Sequence, residues 1–217
     1  MRFETPEGSR EFAINRLIVA GWTGRDEAAV RHHIEELAEI GVAPPSTVPL
    51  FYRVSTGLLT RDRRVQVLGG ATSGEVEPFL IKQSGRLWLG LASDHTDREL
   101  EAVSVAASKQ ACAKPVADTL WAWDEVADRA DELRLTCEID EKGSSTLYQK
   151  GTLAAIRPLA DLIEGAGMVD GDAMLCGTLT AIGGVRPAAA YRMALEDPER
   201  GQRIELRYKV DLLPVVA

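Results

Sequence analysis

The sequence contains few of the residues that build zinc or disulfide frameworks. Of its 217 residues only three are cysteine and three are histidine, and the cysteines lie far apart in the chain. Zinc sites of the CxxC type and dense disulfide scaffolds need closely spaced cysteines, so both classes are excluded. An odd number of scattered cysteines fits a reducing compartment, where they act as small buried hydrophobic residues. Metal chemistry in this chain must therefore rely mainly on carboxylates.

An excess of positive charge is also missing. Lys and Arg total 25 against 33 Asp and Glu, which gives a net charge of −8. Nucleic-acid-binding proteins normally carry a basic patch, so that class is excluded. The sequence contains no run near the roughly 20 apolar residues of a membrane helix, and its first residues, MRFETPEGSREF, lack the apolar stretch of a secretory signal. We expect a cytoplasmic protein with no nucleic-acid or membrane partner.

What is present is a β-rich pattern in a chain long enough for one domain, residues 1–217. Residues 3–20 predict a hairpin whose second half is the apolar run 17–20. Further strands are predicted at 50–54, 65–68, 75–82, 86–92, 133–139, 146–151, 173–175, 191–196 and 203–213. Helices are predicted at 26–40, 96–111, 124–132 and 159–164. Val30, Ile34 and Leu37 form the apolar face of the first helix, with Gly41 as its cap, and Thr96 caps the second. The pattern predicts an α+β fold.

Two glutamates on one strand carry the main chemical signal. Alternate strand side chains share a face, so Glu75 and Glu77 point the same way. Asp94 follows the next strand and precedes a predicted helix. Three oxygen donors without cysteine suit a hard ion such as Mg²⁺, Mn²⁺ or Ca²⁺. The same spacing also fits the solvated face of an exposed strand, and the pattern alone leaves both interpretations open.

Five motifs occur in an order that resembles the fumarylacetoacetate hydrolase superfamily. They are PLFYRVSTGL (49–58), GEVEPFLIK (74–82), SDHTDRELE (93–101), SK (108–109) and GDAMLCGTLTAIG (171–183). The whole chain is more closely similar to a small bacterial branch of this superfamily, known as a domain of unknown function. The resemblance implies a mixed β-roll with a few flanking helices, assembled as a homodimer.

The resemblance also implies a set of site residues. The metal ligands would be Glu75, Glu77 and Asp94, which would hold Mg²⁺ or alternatively Mn²⁺ or Ca²⁺. Lys109 would be a catalytic residue beside the metal. Substrate binding would fall to Tyr52, Arg53, Arg98 and Thr178. Arg53 stands where the superfamily has lysine, and its planar guanidinium suits a carboxylate.

The predicted first helix offers a general base. Residues 25–37 resemble, with an insertion, a mobile superfamily segment that contains a water-activating His–Glu pair, and the match gives His33 and Glu36. A histidine oriented by a glutamate is a suitable base near neutral pH. The alternative is that both side chains belong to a solvated helix surface, which is the interpretation we adopt for His32.

Together these features predict a divalent-metal-dependent enzyme that hydrolyses a C–C bond in a small acylpyruvate-like or 1,3-dioxo acid. The metal would stabilise the enolate left when the bond breaks. One alternative is a metal-dependent decarboxylase, hydratase or isomerase of a 2-oxo acid, for which the His–Glu pair is less needed. A second alternative is a non-catalytic ligand-binding relative that kept the fold, because a fold alone does not fix function.

Overall fold

A computed structural model describes residues 1–39, 43–141 and 143–216. The described helices are α1 (Glu27–Glu39), α2 (Arg98–Glu101), α3 (Val105–Ala111) and α4 (Leu159–Gly165). The first strands are β1 (Arg2–Thr5), β2 (Gly8–Glu11), β3 (Arg16–Gly21), β4 (Leu50–Val54), β5 (Leu59–Thr60), β6 (Arg64–Leu68), β7 (Thr72–Ser73), β8 (Val76–Gln83) and β9 (Arg86–Ser93). The later strands are β10 (Thr96–Asp97), β11 (Lys114–Pro115), β12 (Trp121–Ala122), β13 (Arg134–Glu141), β14 (Ser144–Thr152), β15 (Asp172–Leu175), β16 (Ala190–Asp197) and β17 (Gln202–Leu213).

A six-stranded mixed sheet organises the molecule, in the order β12-β9-β8-β15-β3-β4. β15 runs parallel to β3 and antiparallel to β8, and the β8–β9 pair is a hairpin in which Val76 lies opposite Ser93. Residues 76–81 are buried throughout, because both faces of the sheet are covered. Because of these strand directions, the ends of β3, β9 and β15 and the beginnings of β4 and β8 lie at the same end of the sheet.

A five-stranded sheet, β14-β13-β16-β17-β6, covers one face of the first. The larger hydrophobic cluster joins the two sheets and includes Ile18, Leu80, Leu135 and Met193. On the opposite face, Phe79 and neighbouring apolar side chains pack against Phe3 and Phe12 of the β1–β2 hairpin and its following residues. Two mixed sheets with a few flanking helices confirm the predicted α+β, β-rich fold.

The structure corrects three predictions of local structure. The predicted hairpin over residues 3–20 is instead the short β1–β2 hairpin followed by β3, which belongs to the six-stranded sheet. The predicted helix 96–111 is divided, because residues 96–97 pair with β7 and Asp97 caps α2 by accepting from Leu100 N. The predicted acidic helix 124–132 consists of 3₁₀ turns at Trp123–Glu125 and Ala127–Glu132.

The predicted first helix is confirmed as α1. Asp26 caps it by accepting from the backbone N–H groups of Ala28 and Ala29, while Val30 and Ile34 are half-buried. The predicted cap Gly41 and the side chain of Leu37 lie outside the described residues. No helix within the described residues has the length and apolar character to cross a membrane. The three cysteines, Cys112, Cys137 and Cys176, are buried free thiols, as expected.

Candidate metal centre

Three carboxylates meet at the end of the six-stranded sheet where β8 begins and β9 ends. Glu75 and Glu77 flank Val76 and alternate onto the same side, while Asp94 lies opposite Glu75 and donates its backbone N–H to the Glu75 carbonyl at 3.0 Å. One oxygen from each carboxylate lies within 4.8 Å of the others. The side chains that alternation predicted to share a face therefore form one cluster with Asp94.

Glu77 is the carboxylate whose ionised form is least favoured. Its side chain is 2% exposed, and Oε2 accepts the backbone N–H of Gly177 at 2.7 Å. Burial and the negative charge of Asp94 raise the pKa of Glu77 well above its usual range, although Lys109 opposes the shift. Gly177 adopts φ +98°, and a Cβ there would lie 1.7 Å from Thr23 Oγ1. Only glycine fits this close approach of the backbone to Glu77.

Asp94 is held ionised by two buried lysines. Lys109 Nζ donates to Oδ2 at 2.5 Å, and Lys114 Nζ lies 3.0 Å from Oδ1 while donating to the His95 carbonyl at 2.6 Å. Burial alone would raise the pKa of Asp94, but the two ammonium groups outweigh it and lower the pKa. Asp94 thus keeps a negative charge inside the protein at 0% exposure.

Lys109 and Arg98 complete the positive charge around the cluster. Burial alone would lower the pKa of Lys109, but attraction to Asp94, Glu75 and Glu77 raises it. Arg98 Nη2 lies 3.2 Å from Glu75 Oε1, and the same guanidinium donates to Ser73 Oγ at 2.7 Å and Glu101 Oε2 at 2.8 Å. Both predicted cations therefore contact the predicted ligands.

His95 lies behind the cluster and is fully buried. Its Nδ1 and Nε2 make hydrogen bonds with Tyr208 Oη at 3.0 Å and Thr72 Oγ1 at 2.9 Å. Burial, with the positive charges of Lys114 and Arg98, lowers its pKa to about 3. His95 is therefore neutral and supports the turn that carries Asp94.

The predicted substrate-binding residues of β4 point to opposite faces of the strand, as successive residues must. Lys109 Nζ lies 5.9 Å from the centre of the Tyr52 ring, so Tyr52 borders the cluster. Arg53 is exposed. Burial alone would raise the pKa of Asp172, but Arg16 lowers it, and the charge of Arg53 contributes to the lowering. The role of Arg53 in substrate binding stays a prediction from the resemblance.

Thr178 is half-buried beside Glu77, but its hydroxyl already has two partners. Oγ1 donates to the Val76 carbonyl at 2.8 Å and accepts from Gln149 Nε2 at 2.8 Å. Gln149 in turn accepts the Val76 N–H at 3.0 Å. This network fixes the backbone between Glu75 and Glu77, and it ties the loop after β15 to β8.

The proposed base lies on the exposed side of α1. His33 Nδ1 lies 3.5 Å from Glu36 Oε2, and the His33 side chain is 62% exposed. His32 Nε2 approaches the other oxygen of Glu36 at 3.4 Å. Trp22 connects His33 to Tyr52, which borders the cluster. The ring centres of Trp22 and His33 are 6.1 Å apart, and Trp22 Nε1 donates to Tyr52 Oη at 3.1 Å. The predicted His33–Glu36 pair is present, and its catalytic use stays a prediction.

Three residues of the site were not predicted from the sequence. Lys114 is a lysine in the apolar segment 112–117, and that unusual setting was the available signal. Trp22 adopts φ +61°, which turns its indole toward Tyr52. Gln149 gave no signal, because the register shift between Cys137 and Glu138 breaks the alternation of the β13–β14 hairpin.

The donor set fits a hard divalent cation. Three carboxylates converge, and burial, followed by the negative charge of Asp94, raises the pKa of Glu77. Oxygen ligands of this kind suit Mg²⁺, Mn²⁺ or Ca²⁺. Glu75, Glu77 and Asp94 are therefore able to hold such an ion.

The sequence and the fold of this chain are similar to those of known proteins. The family model described as "Protein of unknown function (DUF2848)" matches residues 20–208. No curated protein matches the sequence at a significant level. Among solved structures, Cg1458 is similar with a TM-score of 0.64 at 14% identity, over 95% of this chain and 81% of that chain.

Two further solved structures carry bound ions. 2-Keto-3-deoxy-D-arabinonate dehydratase complexed with magnesium and 2,5-dioxopentanoate has a TM-score of 0.61 at 17% identity, over 94% of this chain and 75% of that chain. 4-Oxalocrotonate decarboxylase from Pseudomonas putida G7, complexed with calcium and acetate, has a TM-score of 0.56 at 13% identity, over 94% and 78%. At these identities the similarity establishes a shared fold.

Proposed function

The chain belongs to the DUF2848 family and has the fold of the fumarylacetoacetate hydrolase superfamily, and on this premise we propose a divalent-metal-dependent enzyme acting on a small 2-oxo acid. The observation that carries the proposal is the convergence of Glu75, Glu77 and Asp94 beside three cationic side chains. Relatives of the same fold whose names describe 2-oxo acid chemistry, one with magnesium and one with calcium, support the assignment.

Each residue of the cluster has a proposed task. Glu75, Glu77 and Asp94 would hold Mg²⁺, or alternatively Mn²⁺ or Ca²⁺. When bound, the ion supplies Lewis-acid polarisation of the substrate oxygens. Lys109 would attract the substrate carboxylate. The low exposure of Glu77 and Asp94 keeps bulk water from competing for these charges.

The remaining proposed substrate contacts involve Tyr52, Arg98, Thr178 and Arg53. Tyr52 borders Lys109 and offers a ring face to the bound acid. Arg98 holds Glu75 and adds positive charge, and Thr178 holds the backbone beside Glu77. Arg53 rests on the superfamily resemblance alone.

We propose lyase or isomerase chemistry, namely decarboxylation, dehydration or isomerisation, as the reaction class. Two observations support it. Two of the fold relatives named above are a dehydratase and a decarboxylase. The water-activating candidate His33 is exposed on α1, where its carboxylate neighbour is Glu36 of the same helix and not one of the three cluster carboxylates. These reactions share the need to stabilise negative charge on the 2-oxo acid and need no activated water.

C–C hydrolysis is the second candidate, and the His33–Glu36 pair favours it. Glu36 Oε2 lies 3.5 Å from His33 Nδ1, longer than a good hydrogen bond, so the pair must close slightly for Glu36 to orient the imidazole as a base. His33 and His32 share Glu36 as partner, so they form a matched pair of variants. If the enzyme is a hydrolase, His33→Ala abolishes turnover of an acylpyruvate and His32→Ala leaves it nearly unchanged. If it is a lyase, both variants keep their activity on the 2-oxo acid substrate.

The proposal as a whole is tested by turnover of acylpyruvates and 2-oxo acids with and without Mg²⁺. Glu75→Ala removes a proposed metal ligand and should lose activity at least about 100-fold, because removing even a group that only orients a ligand typically costs about 10–100-fold. Glu99→Ala, an exposed glutamate on the nearby α2, is the matched control and should keep full activity. Full activity of Glu75→Ala would overturn the proposal. Metal binding without turnover of any tested acid would instead support a non-catalytic ligand-binding protein.

We also propose the homodimer that the resemblance implies. Exposed apolar side chains gather where β6 and β17 end together, with Leu68 opposite Leu213 and with Leu212 and Val215 beside them. Covering such a patch is a usual reason for self-association. Light scattering should give twice the monomer mass for wild type and the mass of a single monomer for Leu212→Glu. A monomeric wild type would contradict this proposal.

A further inference from the structure

We propose that Lys109 is an internal cation, which competes with the divalent ion for the three carboxylates and, once displaced, supplies positive charge to the anionic substrate. This inference rests on the proposed function, because it assigns the ion to Glu75, Glu77 and Asp94. It adds to the role that the resemblance implies for Lys109, because it makes the ammonium group a competitor of the ion.

The first support is the position of the ammonium group. Lys109 Nζ donates to Asp94 Oδ2 at 2.5 Å, and the residue is 7% exposed. It is attracted by all three carboxylates rather than by Asp94 alone. An ammonium group in this place neutralises the charge that a divalent ion would otherwise neutralise.

The second support is the balance of charge. Four carboxylates, the three of the cluster and Glu101, face three cationic side chains, those of Lys109, Lys114 and Arg98. With all four carboxylates ionised, a divalent ion changes the net charge of this set from −1 to +1 in a mostly buried place. Such an excess is unfavourable unless a cation moves away or an anion binds.

The third support shows which cation is able to move. Lys114 is fully buried and also donates to the His95 carbonyl at 2.6 Å. Arg98 is tied to Ser73 and Glu101 as well as to Glu75. Within the described residues the Lys109 ammonium group has a single hydrogen-bond partner, Asp94 Oδ2, and lies 5.9 Å from the centre of the Tyr52 ring.

Two consequences follow for binding. The ion alone should bind weakly, since it must displace Lys109 from Asp94. An anion that takes up the displaced ammonium should tighten the ion, and by linkage the ion should tighten the anion by the same factor. Oxalate is a suitable probe, because it is a dianion with the vicinal oxygens of a 2-oxo acid.

The test is calorimetric titration of the full chain with Mg²⁺, with and without oxalate, for wild type, Lys109→Met and Lys109→Arg. Met keeps the length of the side chain and removes its charge, whereas Arg keeps the charge and is the matched control. Without oxalate, Lys109→Met should bind Mg²⁺ at least about fivefold more tightly than wild type, the lower end of typical coupling between sites. Lys109→Arg should stay close to wild type. In wild type, oxalate should tighten Mg²⁺, and this effect should shrink in Lys109→Met.

Thermal melts give an independent readout that structural damage would not reproduce. In EDTA, Lys109→Met should melt below wild type, because the carboxylates then repel one another. Its rise in melting temperature on adding Mg²⁺ should exceed that of wild type. A variant damaged by poor packing would instead show a lower melting temperature and a smaller rise.

The outcomes separate this inference from the proposed function. If wild type binds Mg²⁺ and folded Lys109→Met binds it equally or more weakly, the inference is wrong and the proposed function stands. If neither protein binds Mg²⁺ at millimolar concentration, even with oxalate, both are wrong. If only Lys109→Met binds Mg²⁺, the inference is supported and the metal-dependent function of the natural chain is wrong.

Discussion

Replacing Asp94 by Asn tests the electrostatic description of the carboxylate cluster. The change keeps the shape of the side chain but removes the charge that two buried lysines share. Lys109 retains the attraction of Glu75 and Glu77, whereas the ion pair of Lys114 is with Asp94. The variant thus leaves about one buried cation unpaired, and breaking a buried ion pair in this way costs about 3–5 kcal/mol. We expect the free energy of unfolding to fall by that amount.

The matching change at Glu77 should act in the opposite direction. Burial and the charge of Asp94 raise the pKa of Glu77, so the folded state favours its protonated form. A raised pKa means that this carboxyl contributes stability at low pH, and the contribution is lost as pH rises through the folded-state pKa. Glu77→Gln resembles the protonated form and still offers an oxygen to Gly177 N–H. Without metal at neutral pH, it should be as stable as wild type or more stable.

Urea denaturation in EDTA at neutral pH, followed by circular dichroism, measures these differences. Glu99→Gln is the control, because an exposed substitution should change stability by less than about 0.5 kcal/mol. The ranking should be Glu77→Gln at or above wild type, and Asp94→Asn far below both. An Asp94→Asn protein no less stable than Glu77→Gln would refute the reasoning.

Three further predictions concern the surroundings of the cluster. A cation binds ionised carboxylates, and the pKa of Glu77 is raised. The Mg²⁺ affinity measured by calorimetry should therefore keep rising with pH above the pH range in which an ordinary carboxyl group ionises. An affinity that stays constant above pH of about 5 would contradict this. Gly177→Ala brings Cβ within 1.7 Å of Thr23 Oγ1 at a φ of +98°. It should lower the free energy of unfolding in urea by about 2 kcal/mol or more, and adding Thr23→Gly should restore part of the loss. An unchanged free energy of unfolding in Gly177→Ala would contradict this. Burial raises the pKa of Asp172, but Arg16 and the Val169 N–H outweigh it and lower the pKa. Asp172→Asn should therefore cost about 1–3 kcal/mol at neutral pH and progressively less as pH falls below about 4; an equal loss at both pH values would exclude this ion pair as the cause.

Much of the fold followed from strand and hairpin patterns. The predicted strands at 75–82 and 86–92 are the β8–β9 hairpin, because apolar runs with a Gly-containing turn are local signals. The predicted helix 96–111 is divided into α2 and α3, and its first two residues belong to a strand for a non-local reason. Thr96 and Asp97 pair with Ser73 and Thr72, and such a pairing between distant segments leaves no mark in a capping pattern.

The site divides in the same way. Alternation brought Glu75 and Glu77 to one face, and the motif order added Asp94. Lys114 was not predicted, since its importance comes from a carboxylate twenty residues away along the chain. The place of His33 relative to the carboxylates depends on how α1 packs, which a helical periodicity does not specify.

The central claim is that Glu75, Glu77 and Asp94 hold an ion that activates a 2-oxo acid. Decarboxylation, dehydration, isomerisation and C–C hydrolysis all require negative charge to develop beside the 2-oxo group, so one measurement tests the step they share. Proton NMR in D₂O should show Mg²⁺-dependent exchange of the C3 protons of a simple 2-oxo acid such as pyruvate. In this exchange a solvent or buffer base takes a C3 proton, the ion would stabilise the enolate, and D₂O returns a deuteron. The account predicts exchange above the uncatalysed rate for wild type and for Glu99→Ala, and none above it for Glu75→Ala or in EDTA. Exchange that is equal in wild type and Glu75→Ala, or that persists in EDTA, would contradict it.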